Sequence, residues 1–488
     1  MNSLGDAHFL SLPRPDILVG VPAGVADTTT LAAHDFDVDT RTGFMPPQGP
    51  LSRLPNFWES WEKALDLAMS SGLQLGQKSG LTESDRTNSE AWRFTVRQLE
   101  ILPIEDLIQS EIKLRRAHHV LAWIMHFYVH SLPPAEPIII PAPISLPLLR
   151  VSRQLQLPPV LTYSDNVLYN WHLGGGKSDR LPTIHALRCQ TLFTSTTDED
   201  EFFLTSARME LVGVEALELM RSTMDEMFVG DDIAIRRITE NLRALVPIIH
   251  RLRETLLQVK KGCKPQTFYH DIRPWFRGQD SQPGREWIFE GIEQDPTLVP
   301  PVELSGASAG QSALIHSLDI FLGIDKFSHR NDMTAKDIEN AMAAEHRRAA
   351  FLERMQLYMP RHHRAFLNHL SSNRLRLREF VLSAVAGTLP EASSDDETSP
   401  KDKSALLEAY NMAVTALKEL RDAHLIIVTL YIIGPARRGA DPGSRATPDS
   451  KPTEETKAPL KGTGGTDLVR FLKGVRDQTK NALLPNST

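Results

Sequence analysis

The chain has 488 residues, of which 41% are hydrophobic and 24% charged, and its formal net charge at pH 7 is -7. These values are typical of a soluble globular protein with enough apolar residues for a large core. The acidic balance argues against a general nucleic-acid-binding protein, because phosphate binding needs a basic surface. Cys189 and Cys263 are too few for a disulfide framework, which favours a reducing compartment.

The N-terminus lacks the basic region followed by an apolar region that a secretory signal needs. The apolar stretches, such as residues 120–128, are shorter than the roughly 20 residues that span a bilayer. We therefore expect a cytoplasmic protein with no membrane partner and no nucleic-acid partner.

In chain order, we predict an extended arm (1–55), a smaller, mainly helical N-terminal domain (56–190) and a large helical domain (191–488). Alternation typical of strands is limited to "EPIIIPAPI", which predicts at most a short strand pair in the N-terminal part. The predicted fold class is all-α. Apolar residues at helical spacing predict helices from about Trp58 to Met69 and over Glu111–His130, Leu146–Leu155, Glu210–Met227 and Asp231–Lys261.

Two polar stretches within the large domain contain proline and few apolar residues. They are Ala386–Lys403 and Arg437–Leu460. Such composition cannot bury enough apolar surface to offset the entropy of ordering the chain. We predict that both stretches are flexible.

The segment "RDAHLIIVTLY" (421–431) places a histidine in an apolar run. His424 shares a helical stripe with Leu417, Leu420 and Val428. A buried neutral histidine needs a hydrogen-bond partner or a metal, and on these residues alone a core histidine is the simpler interpretation. Arg421, one turn earlier, suits a ligand that has both a metal and an anionic arm, such as haem.

Other histidines leave similar alternatives open. His126 and His130 in "HFYVH" have a spacing that can chelate a metal, although the glutamate of a zinc protease is missing. A structural role is the simpler interpretation for this pair. His362 and His363 are adjacent and therefore point to different faces of a helix.

Two glycine-containing segments precede predicted helices. In "GASAGQSALIHSLDIFLGI" (306–324) the small residues permit close approach to a flat ligand or a phosphate, but the spacing fits neither a P-loop nor a dinucleotide fingerprint. The segment "KGTGGTDL" (461–468) is a second glycine loop before a predicted helix. The alternative for both is an ordinary tight loop that caps a helix.

The segment "FYHDIRPWFRG" (268–278) surrounds Arg273 and Arg277 with aromatic residues. One interpretation is an apolar core with arginines that extend to solvent. The other is a pocket that stacks an aromatic substrate and binds its carboxylate.

Taken together and in this order, these segments resemble the indoleamine 2,3-dioxygenase family, specifically its fungal members. The resemblance also includes "LPPVLTYSDNVLYNW" (157–171), "FFLTSARMELVG" (202–213), "YMPRHHRAFL", "SNRLRLREFVLS" and "KGTGGTDLVRFLKGVR". It covers most of residues 140–488 collinearly and is faint before them. It implies that the large helical domain binds haem b, with ferrous iron in the active state.

On the cofactor side, the resemblance implies that His424 is the proximal ligand of the haem iron. Asp319 would hold His424 through its other ring nitrogen, an arrangement that fixes the tautomer and raises imidazole basicity. Arg421 would pair with a haem propionate, and Ser308 would border the haem edge. His363 matches a family histidine that lies away from the iron.

On the substrate side, the resemblance implies that Phe268 packs on the indole and that Arg273 binds the amino-acid carboxylate. Ser206 matches a serine of the distal pocket, and Thr463 belongs to a mobile glycine loop that closes over substrate. The remaining implied pocket residues are Tyr163, Val167, Phe202, Phe203, Tyr269, Ala309 and Gly464.

This sequence departs from the family pattern at several of these segments. Asn166 stands where some relatives have cysteine, Ala307 where glycine is common, and Tyr269 where some have phenylalanine. Phe276 and Arg277 replace smaller or more neutral residues. The haem set is intact, so the departures bear on substrate affinity.

The resemblance implies an oxidoreductase of the kynurenine pathway that opens the indole 2,3-bond of L-tryptophan with O2 to give N-formylkynurenine. An electron donor would keep the haem reduced, and a monomer is expected. One alternative is a catalytically weak haem-binding homologue that acts as a sensor or haem store. A helical interaction protein without cofactor is the third interpretation.

Overall fold

The computed structural model describes residues 36–174, 181–282, 284–324, 352–373, 375–389, 399–439 and 468–485. Helices predominate in these ranges, which confirms the all-α class. None of the described helices is both long enough and apolar enough to cross a bilayer.

The elements follow in chain order. The α-helices are α1 (Glu59–Ser70), α2 (Glu83–Arg97), α3 (Glu105–Ile108), α4 (Glu111–Ser131), α5 (Ala142–Leu155), α6 (Thr197–Val212), α7 (Val214–Val229), α8 (Asp232–Gly262), α9 (Pro265–Thr267), α10 (Ala313–Phe321), α11 (Arg361–Ser372), α12 (Leu377–Ala386), α13 (Pro400–Val428), α14 (Gly434–Gly439) and α15 (Leu468–Asn481). The strands are β1 (Ile138–Ile140), β2 (Trp171–Leu173), β3 (Leu187–Cys189) and β4 (Trp287–Phe289). Three π-helical turns span Ser164–Leu168, Phe268–Ile272 and Thr429–Ile433, and a 3-10 turn spans Arg273–Phe276.

The strands form two small pairs. β2 and β3 are antiparallel, with Trp171 opposite Cys189, and the sequence alternation did not indicate them. The "III" of the alternating segment forms β1, which pairs in parallel with β4 so that Ile138 lies opposite Trp287. Sequence alternation indicated β1 but not its partner, because β4 comes from a distant part of the chain.

Several helices begin where capping chemistry places them. Asp231 caps α8, and its carboxylate accepts a hydrogen bond from the Ala234 amide at 2.7 Å.

The prediction of one helix over Glu210–Met227 is wrong, because α6 and α7 are separate and meet at Gly213. A Cβ at Gly213 would lie 2.3 Å from the Leu314 side chain, so the glycine lets α10 pack against this junction.

The predicted flexible and extended segments are partly corrected. Ser399 caps α13, so the end of the Ala386–Lys403 stretch is helical, while residues 390–398 lie outside the described residues. Residues 440–460 of the second stretch also lie outside them. Within the predicted N-terminal arm, Phe44 and Met45 are buried against the protein.

Two apolar cores meet along α13. Leu417 and Leu420 belong to a core that α8 and α13 share with α7, α10 and α12. Ile427, at the other end of the helix, belongs to a core built around α4 that also contains Phe268. His424 therefore lies at the boundary between the two cores.

The predicted division into two domains near residue 190 stays a prediction.

Candidate functional site

The imidazole of His424 is the first component of the candidate site. The side chain is half-buried on α13. Burial and then the charge of Arg421 lower the pKa of His424 to about 4, so the ring is neutral at physiological pH. Neither ring nitrogen has a hydrogen-bond partner among the described residues. A neutral imidazole of this kind is available as a metal ligand.

Arg421 connects three helices beside His424. Its guanidinium donates to the Asp319 carboxylate on α10 and to the Thr479 hydroxyl on α15. The expected contact of Asp319 with His424 is therefore absent, and Asp319 orients Arg421 instead. The physical reason is that a guanidinium is a charged donor with a matching geometry, whereas the imidazole is neutral.

These residues fit a haem group. His424 supplies one neutral nitrogen donor, and Arg421, one turn earlier, supplies a cation for a carboxylate. Leu420 and Ile427 provide apolar surface on either side of the histidine along the helix. In the described part of the chain, no three His, Cys, Asp or Glu side chains come together as a metal site. A haem iron can be held by a single protein ligand, so this donor set suits it.

The loop before α10 contacts the segment that follows the Arg273–Phe276 turn through a close approach of two glycines. A Cβ at Gly278 would lie 2.1 Å from the Leu304 carbonyl oxygen and 2.4 Å from the Gly306 amide nitrogen. This contact holds the segment that contains Ser308 against the end of the Arg273–Phe276 turn. Ser308 itself caps the next turn, where its hydroxyl accepts from the Gly310 amide at 3.2 Å.

This contact yields the first prediction. Gly278→Ala should destabilise the protein by about 1–3 kcal/mol, since the methyl group meets backbone atoms that cannot rotate away. The loop should shift, and turnover should fall with it. Thermal unfolding and steady-state kinetics measure both effects. Gly49→Ala is the matched control, because a Cβ there meets no atom within 4 Å. Equal unfolding temperatures for the two variants would contradict the close packing.

A group of phenylalanines forms the second part of the candidate site, near the end of α13, where the Phe268 and Tyr431 ring centroids are 5.7 Å apart, and we call it the aromatic cluster. It consists of Phe202, Phe203, Phe268 and Phe276. The Phe268 and Phe202 ring centroids are 4.4 Å apart, and those of Phe202 and Phe276 are 6.0 Å apart in a stacked arrangement. Trp275 instead stacks on Phe193 in the core. The segment 268–278 thus contributes both to the core and to the aromatic cluster.

Arg273 lies beside this cluster with only 4% of its surface exposed. Its guanidinium carbon is 5.7 Å from the centre of the Tyr269 ring. Burial, with a further contribution from the Arg277 charge, lowers the pKa of Arg273 to about 9. A buried cation of this kind gains from an anionic ligand, because the ligand offsets the loss of hydration.

The third component is the π-helical turn Ser164–Leu168 with the residue before it. The Tyr163 amide donates to Gln311 at 2.8 Å, and the Tyr163 hydroxyl donates to Glu210 at 2.8 Å. Ser206 lies beside the same phenol and lowers its pKa, against the larger effect of burial. Val167 packs with Leu204 and Ala207 of α6 in a small apolar cluster. The structure therefore brings Tyr163, Val167 and Ser206 together.

The remaining predicted site residues fall in three groups. Ala309 belongs to the 3-10 turn that leads into α10. Tyr269 contacts Arg273, as described above. Thr463 and Gly464 lie outside the described residues, so their predicted role in a closing loop stays a prediction.

The other histidine pairs are structural. His126 lies 2.8 Å from the Trp275 carbonyl oxygen, and His130 lies 3.0 Å from the Arg277 carbonyl oxygen. The other ring nitrogen of His126 accepts a hydrogen bond from the Leu161 amide at 3.2 Å, so His126 has no nitrogen left for a metal, and the pair anchors the segment that contains Arg273. His362 contacts Glu111, and His363 contacts the Asp37 carbonyl oxygen.

A polar cleft that includes Ser164 and Asp165 of the π-helical turn does not compete as a site. Arg115 pairs with Asp37 and Glu111, and Arg361 also pairs with Glu111. The charges in this cleft thus compensate one another. Its lining residues are Glu111, Arg115, His118, Leu155, Leu157, Ser164, Asp165, Tyr169, Pro360 and Arg361.

Sequence reasoning missed several residues that hold the site residues in place. Glu210 and Gln311 both bind Tyr163, and Thr479 binds Arg421. Asp165 fixes the π-helical turn, since its carboxylate is 2.9 Å from His118. Glu210 and Gln311 lie inside segments that were singled out, but no local pattern distinguishes them from ordinary polar residues.

Comparison with known proteins agrees with this geometry. The family model described as indoleamine 2,3-dioxygenase matches residues 32–482. The chain is 29% identical over 467 residues to an indoleamine 2,3-dioxygenase of Saccharomyces cerevisiae, covering 91% of this chain and 92% of the relative. It is 29% identical to indoleamine 2,3-dioxygenase 1 of Rattus norvegicus, covering 92% and 95% respectively. A 6-hydroxytryptophan 2,3-dioxygenase of Fusarium equiseti is 27% identical, with 94% and 99% covered. The chain therefore belongs to the indoleamine 2,3-dioxygenase family and is a haem b-dependent oxidoreductase that acts on tryptophan or related indoles.

Proposed function

We propose that the protein opens the indole 2,3-bond of L-tryptophan with O2 and forms N-formylkynurenine. The observation that carries this proposal is the pairing of an aromatic cluster with the buried cation of Arg273, together with a neutral His424 that has no hydrogen-bond partner among the described residues. An indole and a carboxylate are the two chemical groups that such a pocket accommodates. We also propose a cytoplasmic monomer that depends on an electron donor.

His424 would hold the haem, Arg421 would pair with a propionate, and the haem would supply the iron at which O2 is activated. The protein contributes orientation and exclusion of water. Phe268 would pack on the indole and Arg273 would bind the carboxylate, so that the 2,3-bond is held in one position. Ser206 is a poor base, and the proposed reaction requires no proton abstraction by it.

The proposal is tested with purified protein after expression with an adequate haem supply. Absorbance spectra of the ferric form, and of the reduced form with CO, report haem binding. Formation of N-formylkynurenine from L-tryptophan then reports the reaction. A haem spectrum without product would favour the catalytically weak homologue, and a colourless protein would favour the interaction protein.

One observation favours a second substrate of the same class. The side chain of Asn166 is 3% exposed, and its amide oxygen has no hydrogen-bond partner among the described residues. Asn166 directly precedes Val167, one of the implied pocket residues. An amide here would accept a hydrogen bond from a hydroxyl on the indole ring, which fits the substrate in the name of the Fusarium equiseti relative.

We therefore expect Asn166→Ala to change the choice between two substrates. For 6-hydroxytryptophan, kcat/KM should fall about ten- to a hundredfold, because a polar substrate group loses its partner. For tryptophan the change should stay within about threefold. Both values come from the same steady-state assay. Parallel losses for the two substrates would assign Asn166 a packing role only.

A further inference from the structure

Glu210 joins three elements of the candidate site through one carboxyl group. It lies on α6 and is 2% exposed. Its Oε1 accepts hydrogen bonds from the Tyr163 hydroxyl at 2.8 Å and from the Ser312 hydroxyl at 2.7 Å. Its Oε2 has no partner within the described parts of the chain. The carboxyl therefore connects α6, the π-helical turn and the beginning of α10, with one oxygen left unsatisfied.

Among the residues that the structure describes, no cation pairs with this carboxyl. Burial raises the pKa of Glu210 to about 7, although hydrogen bonds from Ser312 and Tyr163 oppose the shift. Other titratable groups on the packed elements bind elsewhere. Arg208 of α6 pairs with Glu201, Asp165 of the turn with His118, and His316 of α10 with the Gly310 carbonyl oxygen.

We propose that Glu210 is a positioning residue that holds Tyr163 and Ser312 together in its protonated form, and that its ionisation weakens substrate binding. A neutral carboxyl tolerates an apolar environment, whereas a carboxylate with a free oxygen must recruit water or a donor. Entry of water would separate α6 from Tyr163. Gln311 binds both the Tyr163 amide and the Gly306 carbonyl oxygen, so the loop before α10 would move too.

The proposal rests on the proposed function in one respect, namely that Tyr163 lines the substrate pocket. It predicts that the tryptophan KM of the haem-loaded enzyme rises as pH increases above about 7, by at most about tenfold per pH unit because one proton is involved. Glu210→Gln keeps the shape and neutrality of the protonated group. Its KM should stay nearly constant between pH 6 and 8.5, and at pH 6 should lie within about threefold of the wild-type value.

Thermal unfolding of the same proteins gives a readout that needs no turnover. The ordinary pKa of glutamate is 4.5, and Glu210 in the folded state holds its proton up to about 7. Between these values the folded state binds more protons than the unfolded state, so this group's contribution to stability falls as pH rises and levels off above 7. The wild type should lose more unfolding temperature over this interval than Glu210→Gln.

Glu199→Gln is the matched control. Glu199 lies on the same helix, is fully buried and has a pKa raised to about 7, but both of its oxygens accept hydrogen bonds from Phe193 and Thr194. This variant should alter unfolding and leave the pH dependence of KM as in the wild type. Should Glu210→Gln fail to fold, Ser312→Ala serves instead. It removes a donor that favours the carboxylate, so the rise in KM should begin at a higher pH.

A Glu210→Gln enzyme whose KM and unfolding temperature follow pH as in the wild type would overturn the proposal. If the KM of Ser312→Ala began to rise at the same pH as that of the wild type, the proposal would also be overturned. A wild-type protein without tryptophan turnover would refute the proposed function instead, and the unfolding comparison would still test Glu210.

Discussion

His424→Ala is expected to abolish stoichiometric haem binding. The assignment gives the iron to His424 alone, since His316, whose pKa the Arg421 charge lowers, lies on α10 with its Nε2 held 2.9 Å from the Gly310 carbonyl oxygen. The Soret band of the purified variant should be lost or strongly reduced, and turnover should disappear with it. Absorbance spectroscopy measures the effect. Helical content should be retained, because alanine is a good helix former and Leu417 and Leu420 keep α13 packed.

Two further variants separate loss of the ligand from loss of structure. His424→Gly should recover a Soret band when free imidazole is added, because imidazole replaces the missing side chain. His250→Ala is the matched control. His250 lies on the neighbouring helix α8, near Glu419 of α13, with 42% of its side chain exposed. The His250→Ala variant should retain haem fully. A normal spectrum and normal turnover in His424→Ala would refute the assignment of the ligand.

Arg273→Ala is expected to lower kcat/KM for tryptophan about ten- to over a hundredfold while the haem spectrum is unchanged. Loss of a charge-assisted contact costs about 1.5–3 kcal/mol. Most of the effect should appear in KM. Tryptamine, an indole substrate analogue without a carboxylate, should be nearly insensitive to the substitution. Equal losses for both compounds would remove Arg273 from the proposed role.

Arg277→Ala is the informative comparison for this variant. Burial also lowers the pKa of Arg277, and its charge lowers that of Arg273. Removing Arg277 should therefore raise the pKa of Arg273 and leave carboxylate binding in place. If Arg277→Ala lowered kcat/KM for tryptophan more than Arg273→Ala does, the carboxylate contact would be assigned to Arg277 instead.

The sequence by itself determined the elements that depend on near neighbours. The apolar spacing over Glu111–His130 and over Asp231–Lys261 predicted α4 and α8 within a residue or two. This signal is local, since periodicity involves residues within a few turns of one helix. The stripe of Leu417, Leu420, His424 and Val428 is local in the same sense. The order of the motifs then identified the family and with it the cofactor.

Only the tertiary structure decided which polar groups are partners. Asp319 could have bound His424 or Arg421, and the choice depends on how α10 and α13 pack. Glu210 had no local signal, because its partners Tyr163 and Ser312 are far away in the chain. The splitting of α6 from α7 at Gly213 likewise depends on Leu314. Hydrogen bonds and ion pairs are short-range in space but unrestricted in sequence separation, so the pattern of residues along the chain fixes the helices and leaves their contacts open.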